Sequence, residues 1–129
     1  MAMSSCSADE EAAKTTEGGE VLLAGDVAVL VDHDEDGFLD ALLKGQLAVV
    51  NGCLGVERSK APARAYVVVW PDGTEILDEE PLTVALEDGS RFSVGDQIDL
   101  GGTQGGFVNQ EDNALTAEAC PGAVTWRAN

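Results

Sequence analysis

A single histidine, His33, seven basic residues against twenty-four acids, and only three cysteines, two tryptophans, one tyrosine and three phenylalanines are spread over 129 residues. Each scarcity excludes something. With one imidazole, a Ser-His-Asp or Cys-His centre would have to be built on His33, and no nucleophile-elbow pattern accompanies it. A net charge of -17 repels phosphate backbones and anionic headgroups, so nucleic acid and a bare membrane surface are poor partners. No apolar run approaches the ~20 residues of a membrane-spanning helix. Residues 21–31 come nearest, but they are too short and Asp26 interrupts them.

Turns and short β-branched runs are abundant. In Gly45-Gln46-Leu47-Ala48-Val49-Val50-Asn51-Gly52-Cys53-Leu54-Gly55-Val56-Glu57, two apolar arms meet at an Asn-Gly pair, which supplies the positive φ angles of a type I′ hairpin turn. Cys53 follows that turn, where its thiol can tie the hairpin to a distant strand in an oxidising compartment. Residues 65–70, Ala-Tyr-Val-Val-Val-Trp, form the strongest strand pattern and stop at Pro71-Asp72-Gly73. Residues 82–86 and 91–94 make a second hairpin around Glu87-Asp88-Gly89-Ser90. Residues 21–31 read as one strand buried on both faces, 101–106 as a glycine-rich loop and 114–118 as a short strand. Such spacing predicts an all-β fold, a small antiparallel barrel of OB-like type or a compact sandwich. One domain over residues 21–129 is expected behind a flexible acidic tether, residues 1–20. Residues 4–20 contain no Leu, Ile, Val, Phe, Trp or Tyr to offset the entropy of ordering.

Few residues carry chemistry. Asp32-His33-Asp34-Glu35-Asp36-Gly37-Phe38-Leu39-Asp40 fits the first nine positions of an EF-hand-type calcium loop. Asp32, Asp34 and Asp36 would give side-chain oxygens, Phe38 its carbonyl, and Asp40 a direct or water-mediated contact. Position twelve is Leu43 instead of a bidentate Glu, so any binding falls in the weak range of ~10⁻⁴–10⁻³ M, and a solvated acidic turn is the simpler reading. Arg58, Lys60 and Arg64 make the positive patch of the chain. Trp70 is the candidate ligand-facing aromatic at a barrel mouth, although its alternation with Tyr66 and Val68 favours a core position. Cys6, in Ser4-Ser5-Cys6-Ser7, is a lipidation candidate: small residues precede it and a polar tether follows. Met1-Ala2-Met3 reads as an added start, with no signal-peptide pattern ahead of Cys6.

The run Gly45-Gln46-Leu47 … Gly52-Cys53-Leu54, then Val69-Trp70-Pro71-Asp72-Gly73, Val94-Gly95-Asp96, Leu100-Gly101-Gly102 and Ala119-Cys120-Pro121 resembles a group of small uncharacterised proteins and lipoproteins of actinobacteria. The resemblance spans residues 42–126. It implies an extracytoplasmic β-domain in which Cys53 is bridged to Cys120, and it brings no catalytic residue. The expected function is therefore a non-enzymatic, secreted or cell-surface binding or structural module, touching a membrane only through a lipid on Cys6, with an unidentified protein or small molecule as partner and no cofactor. The alternatives are a weak calcium-binding module built on the 32–40 loop, and a small enzyme or ligand carrier using the barrel mouth.

Overall fold

A computed structural model of the chain describes residues 12–16, 18–34, 41–58 and 64–129. Among the described residues, eleven strands fall into two sheets: β1 (Ala12–Thr15), β2 (Gly19–Ala24), β3 (Val27–Asp32), β4 (Ala41–Val50), β5 (Cys53–Glu57), β6 (Ala65–Trp70), β7 (Glu75–Glu79), β8 (Leu82–Ala85), β9 (Arg91–Ser93), β10 (Gln97–Gln104) and β11 (Thr125–Ala128). A 3₁₀ turn, Gln110–Asp112, leads into the one α-helix among the described residues, α1 (Asn113–Ala119). The larger sheet runs β1-β2-β3-β5-β4-β10-β11-β6, and β6 also pairs with β5 and β3. The smaller sheet is the meander β7-β8-β9. The all-β expectation is met.

Strands β3 and β6 explain the layering. Both are apolar on both parities, and a strand sends alternate side chains to opposite faces. Val29 and Val31 of β3, with Val68 and Trp70 of β6, enter the larger core beside Leu47, Leu54, Val56 and Leu100. Their neighbours Ala28, Leu30, Val67 and Val69 point the other way, into a second cluster with Phe107, Leu115, Cys53 and Cys120. Burying one Val or Leu side chain contributes about 1.5–3 kcal/mol, so neither face could be left uncovered. The segment from Phe107 through α1 forms the cover of the second face.

Asn51 and Gly52 adopt φ 52° and 86°, the turn conformation their sequence predicts. The bridge Cys53–Cys120 is present, with Cα atoms 6.0 Å apart. Asn51 Nδ2 reinforces it by donating to the Pro121 carbonyl at 3.1 Å. Hairpin 45–57 and hairpin 82–94 both lie where the turn residues put them.

Four expectations are corrected. Residues 21–31 are not one strand: Gly25, at φ 62°, turns the chain between β2 and β3. Residues 114–118 are helical; Ala114, Leu115, Ala117, Glu118 and Ala119 are good helix formers, and Leu115 and Thr116 are buried. Gly101 and Gly102 belong to β10, because a Cβ at Gly102 would collide with the Arg127 carbonyl oxygen across the β10–β11 pair. Finally, residues 12–16, 18 and 19, expected to belong to a flexible tether, are built into the fold. Strand β1 pairs with β2, and Gly18 and Gly19 are buried. Thr16 Oγ1 accepts the Gly19 N–H at 3.0 Å and donates to Asp112 Oδ1 at 2.6 Å. Residues 1–11, including Cys6, lie outside the described residues, as do Glu17, 35–40 and 59–63.

Two outcomes follow. Deleting residues 1–18 should lower the melting temperature by several degrees, because it strips a paired strand from β2 and the Thr16 bond from Asp112; unchanged unfolding would place β1 outside the cooperative unit. Replacing both Cys53 and Cys120 with alanine should cost about 4 kcal/mol in urea unfolding, the chain-entropy value for a 67-residue separation. Non-reducing peptide mapping should recover the Cys53–Cys120 link.

Candidate functional site

The disulfide and the Asn51–Pro121 hydrogen bond fasten the end of α1 to the β4–β5 turn. Between this fastening and β2 lies a cleft of about 370 Å³, lined by Val21, Leu23, Asp26, Ala28, Gly52, Leu115, Glu118 and Ala119. Its apolar residues come from β2, β3 and α1, and its two charged residues are both acids. Leu23 is 40% exposed, so an apolar side chain here stands in solvent rather than in the core. This size is within the ~300–1,000 Å³ of small-molecule sites.

A second polar locus lies at the opposite end of the cover, where β3 ends against the start of the 3₁₀ turn. Asp32 is buried at 2% exposure, and its two oxygens accept backbone N–H groups: Oδ1 from Asp34 at 2.9 Å and Oδ2 from Val108 at 2.8 Å. It therefore pins the 107–109 segment onto β3. Asp34 Oδ2 accepts from Asn109 Nδ2 at 2.8 Å. Asp112 is 5% exposed; its Oδ1 takes the Thr16 hydroxyl, while its Oδ2 is buried without a hydrogen-bond partner among the described residues. Of the five residues expected to form a calcium loop, Asp32 and Asp34 are thus joined to a distant segment, and Asp36, Phe38 and Asp40 lie outside the described residues. Among the described residues no three His, Cys, Asp or Glu side chains form a ready metal centre.

His33 lies beside this locus and is bracketed by acids. Nδ1 is 2.6 Å from Asp72 Oδ1 and Nε2 is 2.9 Å from Glu20 Oε1. The hydrogen bond to Asp72 raises its pKa above 6.5; desolvation opposes this and the charge of Glu20 adds to it. With both nitrogens engaged, this imidazole has none directed at a hydroxyl or thiol, as a general base for nucleophilic attack requires. Trp70 corrects the ligand-facing expectation: it is fully buried, and its indole N–H points to the Leu54 carbonyl at 3.4 Å. Tyr66 instead packs edge-on to Trp126, with ring centroids 6.0 Å apart.

Asp112 and Asn109 are the residues the sequence reading missed. They stand 75 or more positions from Asp32 and Asp34, and their one local signal is an acidic pair ahead of a run of helix formers. Leu115 was hidden by the expectation of a strand over 114–118, which is helical in the structure. Compared with models of protein families, with curated proteins and with solved structures, the chain matches none.

The His33 bracket has a definite pH sign. A folded-state pKa above the unfolded value gives stability that is complete below about pH 6.5 and is lost as pH rises through the raised folded value. In thermal melts from pH 6 to 9, wild type should exceed His33→Gln most at pH 6, and the gap should narrow on going alkaline. A gap independent of pH would assign His33 a packing role alone.

Proposed function

We propose that this chain is a non-enzymatic binding module of an extracytoplasmic, oxidising compartment, and that its ligand is a small organic cation with an apolar body held in the cleft between α1 and β2. The observation that carries the reading is the buried Cys53–Cys120 bridge, which fixes two walls of the cleft to each other. A bridge of this kind persists where thiols are not kept reduced, and no helix among the described residues is long and apolar enough to cross a membrane. A wall held in place loses little entropy on binding, which favours a preformed site. The acids Asp26 and Glu118, on a chain of net charge -17, select for positive charge. The finer architecture belongs to the same proposal: β5, β4, β10, β11 and β6 pair in succession and β6 returns to β5, the pairing expected of an OB-like closed barrel, with the cleft on its outside.

Fluorescence titration tests this with two dyes of opposite charge, the cationic thioflavin T and an anionic anilinonaphthalene sulfonate. The cationic dye should bind at least tenfold more tightly, and Leu23→Arg should weaken it by a further tenfold or more while leaving the melting temperature near wild type, since Leu23 is outside the core. Equal binding of both dyes, or indifference to Leu23→Arg, would overturn the cleft as the site.

A further inference from the structure

We propose that Asp34, Asp112 and Asn109 form a weak binding site for a hard divalent cation, with calcium the fitting ion, at the junction of the β1–β2 turn, the end of β3 and the 3₁₀ turn. The site is independent of the cleft and differs from a contiguous EF-hand-type loop, because two of its three ligands, Asn109 and Asp112, come from a segment 75 or more residues further along the chain.

Three observations converge. The first is Asp112 Oδ2, which is buried with no donor among the described residues, on a side chain 5% exposed. A buried carboxylate oxygen without a donor costs the full desolvation of that group, a cost that a cation at that oxygen would relieve. The second is where that oxygen points. A Cβ added at Gly18 would collide with Asp112 Oδ2, and would stand 2.8 Å from Asp34 Oδ2 and 3.0 Å from Asn109 Nδ2. The two carboxylates and the amide thus converge on the same side of Gly18, where only a residue without a Cβ leaves them room. Thr16, from the same turn, holds the other Asp112 oxygen. The third is charge. Asp32 Oδ1 accepts the Asp34 N–H, so a further carboxylate adjoins Asp34, and among the described residues no ion pair to Asp34 or Asp112 is found.

Oxygen-only donors with two carboxylates suit calcium, which accepts irregular shells of six to eight oxygens at about 2.3–2.6 Å. Asn109 fits both states. Its amide now donates to Asp34, and a half-turn about its last torsion would offer Oδ1 to an ion instead. Asp32 is excluded as a principal ligand, since both of its oxygens already accept backbone N–H groups. Three side-chain oxygens leave the remaining positions to water, which sets the affinity in the ~10⁻⁴–10⁻³ M range.

Thermal unfolding and titration calorimetry of the full chain with calcium chloride, against sodium chloride at equal ionic strength, form the test. Wild type should gain about 4 °C at 10 mM calcium. Asp112→Asn should lose that gain and, without calcium, melt above wild type, because its amide can donate to Asp34 and relieve the repulsion. Gly18→Ala, which fills the space the three groups face, should lose the gain as well. Asp99→Asn, which removes one exposed negative charge from β10, should keep it. The proposal is overturned if wild type gains nothing beyond the sodium control, or if Asp112→Asn gains as much as wild type. A gain lost equally in Asp99→Asn would reduce the effect to screening of net charge and overturn it too.

Discussion

The structure depends on two strands that must be buried on both sides. β3 and β6 have no polar face, so one sheet packing against itself cannot satisfy them. The larger core takes Val29, Val31, Val68 and Trp70; the opposite side chains need a second layer, which comes from the 107–120 segment. That segment is short and its helix has two turns at most, too little to hold its place by propensity alone. It is therefore fastened at both ends, covalently by Cys53–Cys120 at one and by the Asp32 carboxylate on the Val108 N–H at the other. Both candidate sites arise at the seams where this cover meets the sheet.

The two seams differ in chemistry because their fastenings differ. A disulfide is apolar and needs no water, so the seam beside it can remain an apolar cleft edged by acids. A carboxylate used as a fastening must be buried with its charge, and it is tolerable only where N–H groups meet its oxygens. Asp32 meets that condition in full and Asp112 meets it by half. The same physics that makes Asp32 structural leaves the second oxygen of Asp112 a buried acceptor with no donor among the described residues.

Legibility in the sequence followed the range of the interactions. The Asn51-Gly52 hairpin, the 82–94 hairpin and strand 65–70 were readable because a turn residue or a β-branched run determines them within a few positions. The Cys53–Cys120 pairing came with a family resemblance and not from spacing. The helix at 113–119 was lost to the expectation of strands, although its alanines and Leu115 carried the opposite signal; the surrounding β pattern outweighed local propensity. Strand β1 was hidden differently. Residues 12–16 have no bulky apolar side chain, and β1 exists because β2 offers it an edge and Asp112 offers Thr16 an acceptor. No local count of hydrophobic residues detects a strand held by backbone pairing.

The acidic run at 32–40 shows how a motif and its structural use can diverge. Spacing alone places Asp32 and Asp34 as successive ligands of one ion, both facing inward around a tight loop. In the fold they part: Asp32 turns to the backbone of the cover, and Asp34 turns to Asn109 beside Gly18. Asp32 and Asp34 share parity, so a continuing strand would put both on one face; they part because β3 ends at Asp32 and the chain leaves the strand at His33. The His33 N–H donates to the Gly18 carbonyl at 2.9 Å, which keeps the chain beside the β1–β2 turn and brings Asp34 over the glycine. A glycine at position 18 is then required by the carboxylates and not by its own backbone, for any larger residue would occupy the space they share.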